Sequence, residues 1–257
     1  MILLAAGLVY VFIKRQEIVF GIQDLMRGER PGTSLAPPSD AAPRGASVSE
    51  AADRVTPLMT AEMSAVGLQF GDPIFIRIFK ESNELEVWGQ LPNQEKFELY
   101  KVYRLCGRTG GLGPKMTASD GRTPEGFYFI DIKSLIPVGP MHFGLDLGFP
   151  NQYDQHHQRS GSSAIHGSCE GGSHFTINDS MVEELYTLVA ATLSNGHRFI
   201  RVHCFPFRMN DERMDQAVAD GEEHVEFWAN LKEGYDFFEI VGKPPNTKLA
   251  EGRYAFE

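Results

Sequence analysis

The chain has 257 residues, 42% of them hydrophobic and 23% charged, a globular balance that excludes disorder along its whole length. Lys plus Arg is 24 against 34 Asp plus Glu, giving a net charge of −10, so a general nucleic-acid binder, which needs a basic surface, is excluded as well. The three cysteines, Cys106, Cys169 and Cys204, are too few and too widely spaced for a disulfide framework or a four-cysteine zinc site, and an odd number leaves at least one free thiol in a monomer.

Residues 1–30 open with the uncharged run MILLAAGLVYVFI, Met1 to Ile13, followed at once by Lys14 and Arg15. The run is shorter than the roughly 20 apolar residues that span a bilayer as a helix. It reads as an export signal or membrane anchor, which places the protein in the cell envelope, on the periplasmic side, with membrane anchoring open to it. The competing reading is an amphipathic or buried apolar helix. Residues 31–60 read as a linker, because Gly32 to Ala52 is rich in Pro, Ala, Ser and Gly, and Pro37, Pro38 and Pro43 forbid a regular helix. Residues 61–257 then form the folded domain.

Within that domain, Pro73 to Phe79 predicts a strand with Ile74, Ile76 and Ile78 on one face. Leu85–Trp88 and the aromatic stretch Phe97–Leu105 predict two more. Gly107 to Gly113 breaks the pattern, and Thr123-Pro124-Glu125-Gly126 turns the chain into a strand at Phe127–Ile130. Strand signals return at Gly144–Leu147, Ala164–Ile165 and Phe199–His203. A helix is predicted over Met181–Leu193, with Ser180 and Glu183 as a capping box, and a second, interrupted one over Glu212–Leu231. Strands early and helices late give a mainly β domain with added helices. Tyr103, Trp88, Phe205 and Phe207 are read as core aromatics.

Seven of the eight histidines lie between His142 and His203, and histidine is the usual general base near neutral pH. The most informative stretch runs from Ile165 to His174. An apolar strand ends in His166, and a loop containing Gly167, Gly171 and Gly172 leads to Ser173 and His174. Glycine amides such as those of Gly167 and Gly172 can approach a ligand and point at a developing oxyanion. His142 lines the same cleft or is a packed strand residue. His156 and His157 sit in a polar loop and are read as solvated. Arg159 and Arg208 suit a substrate carboxylate, which a planar guanidinium holds by two bonds; the alternative for Arg208 is pairing with an acidic residue of the helical C-terminal part. His166 and His174 are separated by eight positions with no H-E-x-x-H or C-x-x-C spacing, so the sequence names no metal ligands and no cofactor.

Five blocks, taken together and in order, resemble the catalytic domain of the L,D-transpeptidase (YkuD-type) family, in its YafK-like murein branch. They are SDGRTPEGFYFI (Ser119–Ile130), MHFGLDLGFPNQYD (Met141–Asp154), RSGSSAIHGSC (Arg159–Cys169), VHCFPFRM (Val202–Met209) and FWANLKEGYDFFE (Phe227–Glu239). The resemblance implies a β-sandwich with added helices acting on peptidoglycan or another envelope polymer. It also implies His166 as the base. In the family a cysteine downstream attacks the peptide bond, and the thioester passes to an amine or to water. Counted without gaps, His174 stands where that cysteine belongs. Three outcomes follow: an enzyme in which His174 is nucleophile or base beside His166; one in which Ser173 or Cys169 takes over; or an inactive wall-binding module. A metal-dependent hydrolase built on the histidines is a further alternative.

Overall fold

The computed structural model describes residues 46–107, 110–137, 142–169 and 172–257. All of them fall in one compact unit spanning Asp40–Glu257; the unit Met1–Ser39, with the signal or anchor reading, lies outside the described residues. Among the described residues no helix is long and apolar enough to cross a membrane.

The folded part begins earlier than the sequence suggests. Helix α1, Val48–Ala65, begins within what reads as linker and takes up its C-terminal part. Its start is written in Ser47 and Glu50. The Ser47 hydroxyl accepts the Glu50 amide, and the Glu50 carboxylate accepts the Ser47 amide, a reciprocal cap. Ala51, Val55, Met59 and Met63, four apart, form a buried stripe. Pro57 is exposed, so water can satisfy the carbonyl it leaves unpaired. The linker reading is therefore corrected from Val48 onward: apolar spacing and a cap outweigh small-residue composition.

Strands β1 (Ile74–Phe79), β2 (Glu84–Gln90), β3 (Phe97–Arg104) and β4 (Gly126–Ile130) are followed by β5 (Leu135–Ile136), β6 (Gly144–Asp146), the short helix α2 (Gln152–His156), β7 (Ala164–His166) and β8 (Phe175–Thr176). Helix α3 (Asp179–Ser194), strand β9 (Ile200–Phe205), helices α4 (Asp211–Ala219) and α5 (Val225–Val241) and a hairpin of β10 (Thr247–Ala250) and β11 (Arg253–Phe256) complete the chain. One sheet has the order β3-β2-β1-β9-β4, with β1 and β9 parallel; a second has the order β5-β6-β7-β8, with β7 and β8 parallel. The domain is mainly β with added helices, and it has two cores. Ile74, Ile76 and Ile78 share the first with Leu145 and Ile165 of the second sheet and with α1 and α3. Phe79, Phe127, Phe205 and Phe207 share the other with Trp228 and Leu231 of α5 and Tyr254 of β11. Every residue of β1 is buried, as expected of a strand covered on both faces.

Helix α3 starts two residues before the predicted cap. Asn178 is the N-cap and its side chain accepts the Met181 amide, while Glu183 is buried and engaged elsewhere. The predicted interrupted helix is two helices, α4 and α5.

His203, on β9, is buried between the rings of Phe75 (4.5 Å) and Phe127 (4.6 Å). Burial, with Arg77 and Arg201 nearby, pushes its pKa well below the ordinary 6.5. The unfolded chain therefore binds a proton at mildly acid pH that the folded chain refuses. The resulting stability is fully present above pH 6.5 and is lost as pH falls from there toward the folded value, at about 1.4 kcal/mol per pH unit for one proton. His203→Phe is expected to flatten that acid limb. Urea midpoints measured from pH 7.5 to 5 check it; parallel curves for both proteins would refute the assignment.

Candidate active site

Strand β7 carries the central residue. His166 ends the strand, in register with Gly144 of β6 and Thr176 of β8. Because β7 and β8 run parallel with Ile165 opposite Phe175, the preceding residue His174 comes level with Ala164. Ala164 and His166 are two apart and share one face of the strand. The two imidazoles thus meet on that face, with ring centroids 5.2 Å apart.

Their partners fix their protons. His166 is buried, and its Nδ1 lies 2.6 Å from the Gly167 carbonyl oxygen. A carbonyl can only accept, so Nδ1 carries the proton, and in the neutral ring Nε2 keeps its lone pair. That Nε2 is buried and meets no hydrogen-bond partner among the described residues. At His174 the polarity is reversed. Its Nδ1 accepts the Ala164 amide at 3.1 Å, so in the neutral ring Nε2 carries the proton. Burial lowers the His174 pKa below the ordinary 6.5, the neighbouring His166 and Lys115 act in the same direction, and Asp146 opposes this. A lone pair on one ring and an N–H on the other are the parts of a base and an electrophilic donor.

The turn between them is built tightly. A side chain on Gly167 would meet Asp179 Oδ1 at 2.6 Å and the His142 Cβ at 3.2 Å, so only glycine fits. The Gly167 amide donates to the Phe143 carbonyl at 3.3 Å, which removes it as an oxyanion donor, contrary to expectation. Ser168 and Cys169 both take left-handed φ values, 73° and 53°. The Ser168 amide donates to Asp179 Oδ1 at 2.7 Å, while its buried hydroxyl has no partner among the described residues. Gly172 is exposed. The Ser173 hydroxyl donates to the Ala118 carbonyl at 3.4 Å, and the Ser173 carbonyl accepts from Ser163; neither bond joins it to an imidazole.

Four expected site residues lie elsewhere or are engaged. Cys169 is joined to Cys106 in a disulfide, so it holds no thiolate to attack with. One bridge forms despite the wide spacing, since 63 residues of chain fold back to bring the two Cα atoms within 5.3 Å, and the odd thiol is left free as expected. Cys204 is the free thiol, buried, with burial holding its pKa well above the usual range. His142 lies behind the turn, its Nε2 2.8 Å from Glu183 Oε1, and Glu183 also pairs with Arg54 of α1. Arg208 bridges Glu84 (2.8 Å) and Glu86 (2.7 Å) of β2 over the Phe79 ring, so its acidic partners come from a strand rather than from the C-terminal helices.

Arg159 is buried against Asp154 at 3.0 Å and over the Phe227 ring at 4.5 Å. Asp154 also accepts from Tyr128 and the Asn151 amide, and burial raises its pKa although Arg159 opposes this. Removing one partner of a buried pair leaves the other charge uncompensated. Arg159→Ala is therefore expected to cost about 3 kcal/mol, read from urea unfolding. Unchanged stability with a raised KM would return Arg159 to substrate binding.

Among the described residues no group of three or more His, Cys, Asp and Glu side chains could hold a metal ion. Two described cavities, of about 530 and 480 Å³, are lined by neither His166 nor His174. Proton-bearing geometry singles out the histidine pair. Sequence reasoning missed Asp179, Glu183 and Ser168, whose roles depend on contacts across the turn.

No family model matches the chain. It is 35% identical over 185 residues to the Escherichia coli (strain K12) protein described as "Putative L,D-transpeptidase YafK", covering 72% of this chain and 74% of that one. The same identity and coverage hold for the Escherichia coli O157:H7 protein of that description. Among solved structures, Bd1075 of Bdellovibrio bacteriovorus matches with TM-score 0.40 and 19% identity over 65% of this chain, which spans 60% of that chain's length. The helical cell shape determining protein Pgp2 of Campylobacter jejuni matches with TM-score 0.39 and 13% identity, covering 75% of this chain and 80% of the other. By its sequence match to YafK over most of both chains, this protein belongs to the YafK-like L,D-transpeptidase family.

Proposed function

We propose that this protein acts on peptidoglycan or a related envelope polymer by hydrolysing a peptide-like amide, with His174 standing where the family carries its attacking cysteine. The observation that carries the reading is the pair of complementary tautomers. His166 has an unpartnered Nε2 lone pair, and His174 has its Nδ1 committed to an amide, the two rings lying 5.2 Å apart. An imidazole whose Nδ1 lone pair is spent and whose Nε2 bears a proton is a hydrogen-bond donor rather than a nucleophile. Water then takes the role of the thiol.

In this scheme the scissile carbonyl oxygen sits on the His174 Nε2–H. His166 Nε2 takes a proton from the attacking water as the oxygen–carbon bond forms. The tetrahedral intermediate collapses with cleavage of the carbon–nitrogen bond, and His166 gives its proton to the leaving amine. One water is consumed, and a carboxylic acid and an amine leave. The depressed pKa of His174 suits this role, because protonation at Nδ1 would oppose the Ala164 amide.

An envelope location fits a chain with an exposed disulfide, since such bonds persist in oxidising compartments, and residues 1–30 would supply the export signal or anchor. Incubation of the purified full chain with muropeptides, with products read by mass spectrometry, tests the proposal. The expected products are stem fragments whose masses sum to substrate plus one water. Saturable binding to sacculi with no product would replace hydrolysis by the wall-binding reading, and activity abolished by a chelator would replace it by the metal-dependent one.

A further inference from the structure

Cys106 holds the loop that carries His174 at both ends. Its amide donates to the Thr176 carbonyl at 2.9 Å, two residues after His174, and its sulfur is bonded to Cys169, five residues before it. Cys106 lies two residues beyond the end of β3, an element of the other sheet. The disulfide therefore ties the segment between the two imidazoles to a rigid frame outside it. Its first described residues after Gly167 are under conformational load. Ser168 and Cys169 are consecutive non-glycine residues with positive φ, a conformation that L-residues adopt singly and at a cost. On the cysteine side the disulfide holds that conformation, and on the serine side the bond to Asp179 does. Both cysteines are exposed, so a soluble dithiol can reach the sulfurs, whereas Cys204 is buried.

We infer that Cys106–Cys169 is a reversible redox site at which a dithiol reductant switches off the histidine pair by releasing Ser168 and Cys169 from their anchor at Cys106. This rests on the proposed hydrolytic role of His166 and His174. A thiolate of the reductant attacks one sulfur of the bond and expels the other as thiolate. The second thiol of the reductant then resolves the mixed disulfide. Two electrons pass to the protein sulfurs, two thiols form after protonation, and the reductant becomes a disulfide. Once freed, Ser168 and Cys169 relax to ordinary φ values, Ala164 and His174 lose register at the loop end, and the spacing of the two rings widens.

The test uses the full chain, dithiothreitol as the reductant and two readouts. Thiol counting by alkylation gives one thiol before reduction, labelled only after denaturation, and three after it. The His174 ring resonance, assigned with His174→Gln, follows the loop directly. The expected result is a His174 titration midpoint that moves up toward 6.5 on reduction, together with muropeptide hydrolysis falling about tenfold or more, both reversed by reoxidation. Cys106→Ser/Cys169→Ser should copy the reduced state, and Cys204→Ser should not. Three reactive thiols in air-oxidised protein, or an unmoved His174 midpoint with unchanged activity after reduction, would overturn the inference. A midpoint that moves in a protein without hydrolytic activity would sink the proposed function and leave the loop release standing.

Discussion

His174→Cys is expected to turn the protein into an acyl-transfer enzyme. A cysteine there places a thiol beside the unpartnered lone pair of His166 Nε2, which can take the thiol proton and leave a thiolate–imidazolium pair. A thiolate attacks the amide carbonyl, the amine departs, and a thioester remains. The intact mass of the variant should rise by the acyl group after incubation with a muropeptide, and added D-amino acids should then appear as exchanged products. The wild type should show neither. The background is clean, because Cys106 and Cys169 are bonded to each other and Cys204 is buried with its thiol held protonated. A folded His174→Cys protein that resists iodoacetamide at neutral pH and forms no adduct would mean that position 174 does not stand at a base, and the proposed site would fall with it.

The second expected result is loss of hydrolysis in His166→Ala by about 10²- to 10⁴-fold, the usual contribution of a positioned general base. His166 pairs through its backbone with both neighbouring strands, and those bonds survive the substitution, so the fold should persist. The comparison with His174 is diagnostic. If His174 is a donor, His174→Gln, which keeps an N–H, should retain more activity than His174→Ala, whose loss should approach the 10²- to 10³-fold typical of a missing oxyanion donor. Equal losses in the two His174 variants would deny the donor role. A His166→Ala variant as active as wild type would remove the base.

How legible all this was in the sequence differs from residue to residue. Ile74, Ile76 and Ile78 declare their strand by alternation, and the structure buries them together. Helix α1 was hidden because its Ala- and Pro-bearing composition resembles a linker, while its cap and its four-residue stripe act only once a core is there to receive them. The two arginines read as carboxylate holders meet carboxylates of the chain itself, which the sequence could not show for a related reason. A guanidinium has the same chemistry toward a substrate as toward Asp154, Glu84 or Glu86, and only folding brings those carboxylates within 3 Å.

The sequence by itself determined the family and the strand-rich core and pointed to His166, since these rest on local spacing and on blocks read in order. Only the tertiary structure decided what each imidazole can do. A proton sits on one ring nitrogen or the other according to the partner that nitrogen meets. For His166 that partner is a carbonyl one residue away, and for His174 it is an amide delivered by the parallel pairing of β7 with β8. The Cys106–Cys169 bond likewise depends on 63 residues of intervening chain returning to one place, a distance no spacing rule measures.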